Sequence, residues 1–499
     1  MLTLTPGAVT LSQLRELWSG APARLSDDAL ASIDTAAITV ERIVASGKTV
    51  YGINTGFGLL AQTRIPAAQL ADLQRNLILS HSCGLGDPLP RNTVRLMIAL
   101  KLIGLGRGHS GVRREVIDAL MALLDADAMP VIPSQGSVGA SGDLAPLAHM
   151  VAALMGHGRI DLGGTIMPAA DALATLGRDP LMLAPKEGLA LINGTQASTA
   201  IALDALFLGQ RVFDAAIVAG AMSVDALKGS CAPFDDRVHQ LRGQPGQIEV
   251  AARIRALLDG SDIGTSHHDC DRVQDPYSFR CQPQVMGASL DLLVNAARTL
   301  QIEANAVTDN PILFPGEGGS GDEVISGGNF HAQPVAFAAD IIAMALCEVG
   351  SLSERRTSVL VDPSMSHLPA FLTDDGGLNS GLMIPQVTAA ALVSENKGLA
   401  FPASVDSIPT SAGQEDHVSM APIAARKAVR IARNAAGVVA VELIAAAQGV
   451  DYHAPLVTSP ALRTVHARIR ALSPHLAADR YWADEMAALQ AAVLAGELA

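Results

Sequence analysis

The run Gly136-Ser137-Val138-Gly139-Ala140-Ser141-Gly142-Asp143 places a glycine at every third position and sets a serine between a small residue and a glycine. Three readings fit such a run. A phosphate cradle needs a Lys-Ser/Thr pair and a clear preceding strand of a βαβ unit, and both are missing. A plain tight turn needs only the backbone freedom of glycine. The third reading is autocatalytic ring closure. The Gly142 amide nitrogen attacks the Ala140 carbonyl and two waters are lost, one of them as the Ser141 hydroxyl leaves. The product is 4-methylidene-imidazole-5-one, an electrophilic alkene conjugated to a five-membered ring. Glycine removes the Cβ that would obstruct closure, serine supplies the leaving hydroxyl, and alanine is small enough for the bend. The tripeptide by itself does not decide between turn and ring.

Its surroundings are more specific. The block Gly136-Ser-Val-Gly-Ala-Ser-Gly-Asp-Leu-Ala-Pro-Leu-Ala-His149 resembles the aromatic amino-acid ammonia-lyase and aminomutase family. The resemblance covers essentially the whole chain, from Tyr51-Gly-Ile-Asn-Thr-Gly-Phe-Gly58 to Gln414-Glu-Asp-His-Val-Ser-Met420. It includes Asn193-Gly-Thr-Gln196, Gln274-Asp-Pro-Tyr277 with Arg280, and Gly327-Gly-Asn-Phe-His331. It implies a mainly α fold: an N-terminal helical and loop domain carrying the prosthetic loop, and a long-helix bundle like that of fumarase and aspartase. It also implies a methylidene-imidazolone formed from Ala140, Ser141 and Gly142 with no diffusible cofactor. The expected assembly is a homotetramer whose active sites combine loops from more than one subunit.

Eliminating ammonia from an α-amino acid poses two problems, since the amine leaves poorly and the β-proton is barely acidic. The alkene addresses the first by taking the amine as a covalent adduct, and a positioned base addresses the second. Tyr51 is the expected base, one of only four tyrosines, in a glycine-rich loop; a buried core tyrosine is the alternative. A free phenol titrates near ~10, so this role calls for a depressed pKa or an alkaline optimum. Arg280 offers a cationic fork for the substrate carboxylate, against the alternative of a surface ion pair. Asp275-Pro276 reads as an N-cap followed by proline at the first helical position, with Pro283 kinking or ending the turn. Tyr277 and Arg280 then share a face. The resemblance assigns Asn193 to the carboxylate and the prosthetic ring, makes Tyr277 a further catalytic residue, and puts Gln274 and Phe330 in the pocket wall.

Two positions bear on the substrate. Ser80-His81 matches the pair typical of the family's histidine-directed members, where phenylalanine and tyrosine enzymes tend to carry Phe-Leu or His-Leu. Glu415 matches an acidic residue of the same branch, where phenylalanine enzymes usually carry glutamine. An imidazole buried unpaired costs on the order of 1–3 kcal/mol, and a carboxylate with a second imidazole removes that cost. The expected reaction is therefore L-histidine to trans-urocanate and ammonia, the first step of histidine degradation. The rivals are a phenylalanine or tyrosine lyase, a 2,3-aminomutase, or a helical scaffold without activity. One departure is Gly413, where the family pattern has asparagine, and it predicts a looser backbone around Glu415.

These residues need a large helical frame. The chain has 499 residues, 49% hydrophobic but only 3% aromatic, so Ala, Leu, Val and Ile must build the core through closely packed helices. Helical periodicity marks 197–227, 285–306, 332–359, 384–399 and 422–448, the last with an apolar stripe at 429, 432, 436, 439 and 443. The texture changes near residue 195, predicting domains over 1–195 and 196–499, with more apolar helix surface than one monomer hides. A net charge of -14 argues against nucleic acid as a partner. No apolar run reaches the ~18 residues that suggest a membrane span, and no signal peptide is evident, so a cytoplasmic enzyme is expected. Five scattered cysteines suggest no disulfide framework. His267-His268-Asp269-Cys270 lacks a second ligand pair at metal-binding spacing, so no metal is expected. Gly104-Leu-Gly106-Arg-Gly108 lacks the context of a nucleotide loop. His149, His331 and His417 read as structural.

Overall fold

The computed structural model describes residues 1–47, 49–56, 63–266, 273–316 and 321–499. The end of the Tyr51–Gly58 block and the whole His267–Cys270 cluster lie outside the described residues. Among the described residues, no group of three or more His, Cys, Asp or Glu side chains is arranged to hold a metal ion.

The architecture is mainly α. In the first 195 residues short helices alternate with loops and small strands, as the spacing of Gly and Pro predicts. Helices α1 (Leu70–His81), α2 (Arg91–Leu105), α3 (Leu144–Leu154) and α4 (Glu187–Ile192) are the ones that position the site. Strand β1 (Leu85–Pro88) pairs antiparallel with β2 (Pro133–Gln135), which leads directly into the Gly136–Gly142 loop. The five long helices fall close to where periodicity puts them: α5 (Gln196–Leu227), α6 (Gln282–Ala304), α7 (Gln333–Val361), α8 (Met383–Leu399) and α9 (Ala421–Asp451).

The chain forms two compact units. One comprises Met1–Asp204, Ala297–Ala339 and Pro402–Arg426; the other comprises Ala205–Ala296, Asp340–Phe401 and Lys427–Ala499. A single break near residue 195 does not describe this division, because two later segments return to the first unit.

In the second unit, Ala389, Val438 and Val441 form a core cluster with Leu392, Val393 and Met486 packed against it. Helix α9 goes beyond the expected stripe. Ala432, Ala436, Val439 and Leu443 are buried, but from Val438 to Val450 every residue is buried. Only small side chains allow such approach, and a Cβ on Gly449 would lie 2.8 Å from the Cβ of Ala226. Arg356 and Glu442, both fully buried, form an ion pair in this unit, with Ser223 Oγ donating to Glu442 Oε1 at 2.7 Å. Helix α7 is long and apolar enough to cross a membrane, contrary to the absence of such a run expected from sequence. Yet 67% of that stretch is buried inside the protein, as in a core helix.

Candidate active site

The Gly136–Gly142 loop is pinned to the turn that follows α4. Gly142 adopts φ +71°, and a Cβ there would stand 2.3 Å from the Gly194 carbonyl oxygen and 2.5 Å from its nitrogen. A bridge pairs Gly142 with Gly194, and the Asp143 N–H donates to Gly194 O at 2.7 Å. Glycine is therefore required at 142 for its angle and for the space. On the other side, Met420 N–H donates to Val138 O at 2.8 Å and Ser419 Oγ donates to Gly139 O at 3.0 Å. Ala140 packs with Val418 and Met420.

Ser141 is held at both ends. Its carbonyl oxygen accepts from Asn193 Nδ2 at 2.7 Å, and its hydroxyl donates to Glu415 Oε1 at 2.5 Å. Glu415 Oε2 accepts from Thr410 Oγ1 at 2.6 Å. Asn193 is 3% exposed, and its buried Oδ1 has no hydrogen-bond partner among the described residues. Such an orphaned acceptor costs on the order of 1–3 kcal/mol and points to a ligand that supplies a donor.

A cavity of about 1120 Å³ opens over Ser141. Among the described residues, its lining belongs to the first unit. Of the residues singled out in the sequence, Tyr51, His81, Ala140, Ser141, Asn193, Phe330 and Glu415 line it, and Gly142 lies beneath. Tyr51 is half-buried. His81 caps the last turn of α1, where its Nδ1 lies 2.8 Å from Leu77 O. A neutral ring donating there keeps Nε2 as an acceptor.

Gln274, Tyr277 and Arg280 belong to the second unit and are not among the lining residues. The expected shared face is present: Tyr277–Arg280 forms a single helical turn with the Arg280 guanidinium 4.9 Å from the Tyr277 ring centroid. The expected Asp275 cap is not. Pro276 occupies the cap position without a side-chain bond, and Asp275 Oδ2 accepts instead from the Ser230 N–H at 2.7 Å. Pro283 falls in the first turn of α6, which begins at Gln282, so it starts that helix as well as ending the preceding turn.

Gly413 adopts φ +84° with open space where a Cβ would stand. The turn is nevertheless closed by Gly413 N–H to Thr410 O at 3.1 Å and Thr410 N–H to Glu415 O at 2.9 Å. Glu415 is thus braced, contrary to the looser backbone expected. Its carboxylate also accepts from the Ser141 hydroxyl.

Several contributors were missed in the sequence. Asp143 is fully buried, accepting from Ser198 Oγ at 2.7 Å and Ser198 N–H at 2.6 Å. Burial pushes its carboxyl up, while the bonds from Ser198 and Ser137 pull it back. Lys101, 1% exposed, donates to Asn193 O at 2.9 Å and Ala190 O at 3.2 Å. Burial pushes its ammonium down to about 7, against the fields of Asp309 and Asp143. Lys186 pairs with Asp309 at 3.3 Å, and burial lowers its pKa too. Of the histidines that the sequence reads as structural, His417 Nδ1 lies 3.3 Å from His331 Nε2 at the cavity wall, and His149 accepts from the Gly84 N–H at 3.0 Å.

A family model of aromatic amino acid lyases matches residues 9–471, and the chain belongs to that family. A histidine ammonia-lyase of Burkholderia pseudomallei (strain 668) is 59% identical over 98% of this chain and 96% of its own length. The crystal structure of histidine ammonia-lyase from Trypanosoma cruzi superposes with a TM-score of 0.91 at 41% identity, covering 100% of this chain and 94% of that one. A tyrosine aminomutase from Streptomyces globisporus superposes at 0.93 with 35% identity, covering 100% and 98%.

Proposed function

We propose that this protein eliminates ammonia from L-histidine to give trans-urocanate, in the cytoplasm, as a homotetramer. The observation that carries the reading is the double hold on Ser141, by Asn193 at its carbonyl and Glu415 at its hydroxyl, at the floor of a cavity that also presents His81.

The residues fit a methylidene-imidazolone made from Ala140, Ser141 and Gly142. No Cβ obstructs Gly142, the Ser141 hydroxyl that must leave sits on a carboxyl group, and the Ser141 carbonyl that would become the ring carbonyl already has its donor. When formed, the group supplies an electrophilic alkene for the substrate's amine. Asn193 polarises the carbonyl conjugated with that alkene. Glu415, beside the same serine, accepts a proton from the substrate ammonium. Tyr51 takes the β-proton. His81, through Nε2, accepts from the substrate imidazole and excludes a purely apolar ring by leaving that acceptor unpaired. Arg280 binds the substrate carboxylate, and Gln274, Tyr277 and Phe330 complete the wall; in the proposed tetramer each site draws loops from more than one copy. Apolar side chains exposed on each unit, such as Val405 and Phe401, support further assembly.

The purified protein is incubated with L-histidine, with L-phenylalanine and L-tyrosine as controls, and urocanate, cinnamate and 4-hydroxycinnamate are followed by ultraviolet absorbance. Urocanate from histidine alone is the expected result; none at any pH overturns the substrate. Separately, the peptide spanning Ser141 should be lighter by two waters, and Ser141→Ala should abolish both that deficit and activity.

A further inference from the structure

Lys101 feels Asp309 and Asp143 through their fields, but what holds its ammonium is backbone. It lies within α2, a helix buried from Thr93 to Leu105, and is itself among the largest fully buried side chains. Among the described residues its ammonium forms no ion pair. Its two hydrogen bonds go to backbone carbonyls, those of Ala190 and Asn193. These lie at the C-terminal end of α4, where carbonyls have no helical donors of their own.

Asn193 is the last point of that end, with φ -85° and ψ 134°, and three features of the electrophile loop hang from it and its neighbour. Asn193 Nδ2 holds Ser141 O, Gly194 O holds the Asp143 N–H, and the Gly194 backbone fills the space beside Gly142. The carbonyl that Lys101 grips belongs to the peptide plane joining Asn193 to Gly194. Turning that plane would swing both anchors of the loop.

From this chain of contacts we infer that Lys101 is a positioning residue for the electrophile: it fixes the Asn193–Gly194 peptide so that Asn193 addresses the Ser141 carbonyl and the loop stays in its ring-closing shape. The inference rests on the proposed function for its catalytic consequence, but its structural part stands apart from any activity. A simple neutralising role is a poor alternative, since among the described residues its hydrogen bonds go to carbonyls and none to a carboxylate. A simple packing role is met by methionine, which has nearly the same length and no donor.

The test compares Lys101→Met with the wild-type full-length protein. Expected are a normal far-ultraviolet circular dichroism spectrum, a smaller fraction of Ser141 peptide lacking two waters, and kcat lowered on the order of 10–100-fold with KM nearly unchanged. In an Asn193→Ala background the same change should lower kcat no further, because both act on one contact. Hydrogen exchange is measured in Ser141→Ala, which cannot form the ring. Adding Lys101→Met should there speed exchange in peptides covering 141–147 and 190–196 and leave 431–447 as it was. Lys101→Gln, which keeps an uncharged N–H donor group on a shorter side chain, should fall between. Unchanged exchange, or full water loss with wild-type kcat in Lys101→Met, overturns the inference. So does failure of both variants to fold, which assigns the lysine to the core alone. If the wild type forms no urocanate, the proposed function fails while the exchange comparison still decides Lys101.

Discussion

In the second unit, Arg356 and Glu442 are buried against each other and neutralise each other, with Ser223 adding a hydroxyl. In the first unit, Lys101 and Asp143 are equally buried, yet among the described residues neither has an ion-pair partner; they face backbone carbonyls, an N–H and hydroxyls. The first arrangement settles a charge inside tightly packed helices. The second fixes the backbone, because a hydrogen bond to a peptide group constrains a plane whereas an ion pair constrains two side chains. Burying a charge is costly, and burial pushes both Lys101 and Asp143 toward their neutral forms. That cost falls where the Gly136–Gly142 loop is held.

The contrast can be broken by perturbing one unit at a time. The largest effect belongs to the first: Tyr51→Phe should remove turnover while the two-water deficit and the melting temperature remain, and near-normal activity would discard Tyr51 as the base. In the second, Arg356→Met leaves Glu442 buried without its partner and should cost about 3–5 kcal/mol, read as a fall in the denaturant midpoint. Replacing both, with Glu442→Leu, should restore much of that loss. If Arg356→Met instead suppressed water loss from the Ser141 peptide at unchanged stability, the division of labour would be wrong.

A finer probe is His81→Leu, which should raise the Michaelis constant for histidine about tenfold, corresponding to ~1.4 kcal/mol for one lost hydrogen bond, and admit more phenylalanine. The smallest effect concerns Asp451 of the second unit. Burial raises its pKa, but hydrogen bonds from His466 and His475 and the field of Arg470 outweigh burial and hold it at about 2. A carboxyl depressed in the folded state stabilises above the unfolded value near ~4 and loses that contribution as pH falls toward 2. Asp451→Asn should therefore lower stability at neutral pH by roughly 1–2 kcal/mol and flatten its decline between pH 4 and 2. Lys101 bears on the alkaline side. Its folded pKa lies below the unfolded value, so its contribution to stability is complete above ~10.5 and lost as pH falls through 7. Lys101→Met should remove that slope.

Much of this was legible before any coordinates. Apolar periodicity located the five long helices because their faces repeat over many turns, and the glycine spacing located the loop. The stripe on α9 understated its burial because alanine is compatible with either a packed or an exposed face. Glu415 could be chosen by type but not placed, since its contact with Ser141 spans 274 residues of sequence. Lys101 gave no sign at all: a lysine inside Leu100-Lys-Leu-Ile103 reads as a solvent-facing break in an apolar helix. What identifies it is the carbonyl of Asn193, and that proximity arises only from folding. Asp275 shows the reverse error, a local cap signal overridden by the Ser230 amide.

The backbone contact between Gly142 and Gly194 also bears on how the sequence can drift. A side chain at 142 would strike the Gly194 carbonyl, and one at 194 would strike the Gln196 amide oxygen at 2.4 Å and Thr308 Oγ1 at 2.9 Å. Neither glycine can be replaced first and compensated by the other, since each obstruction is met by different atoms. In a selection that randomises both positions together, the surviving clones should return glycine at each independently, with no covariation between them, even though the two residues touch.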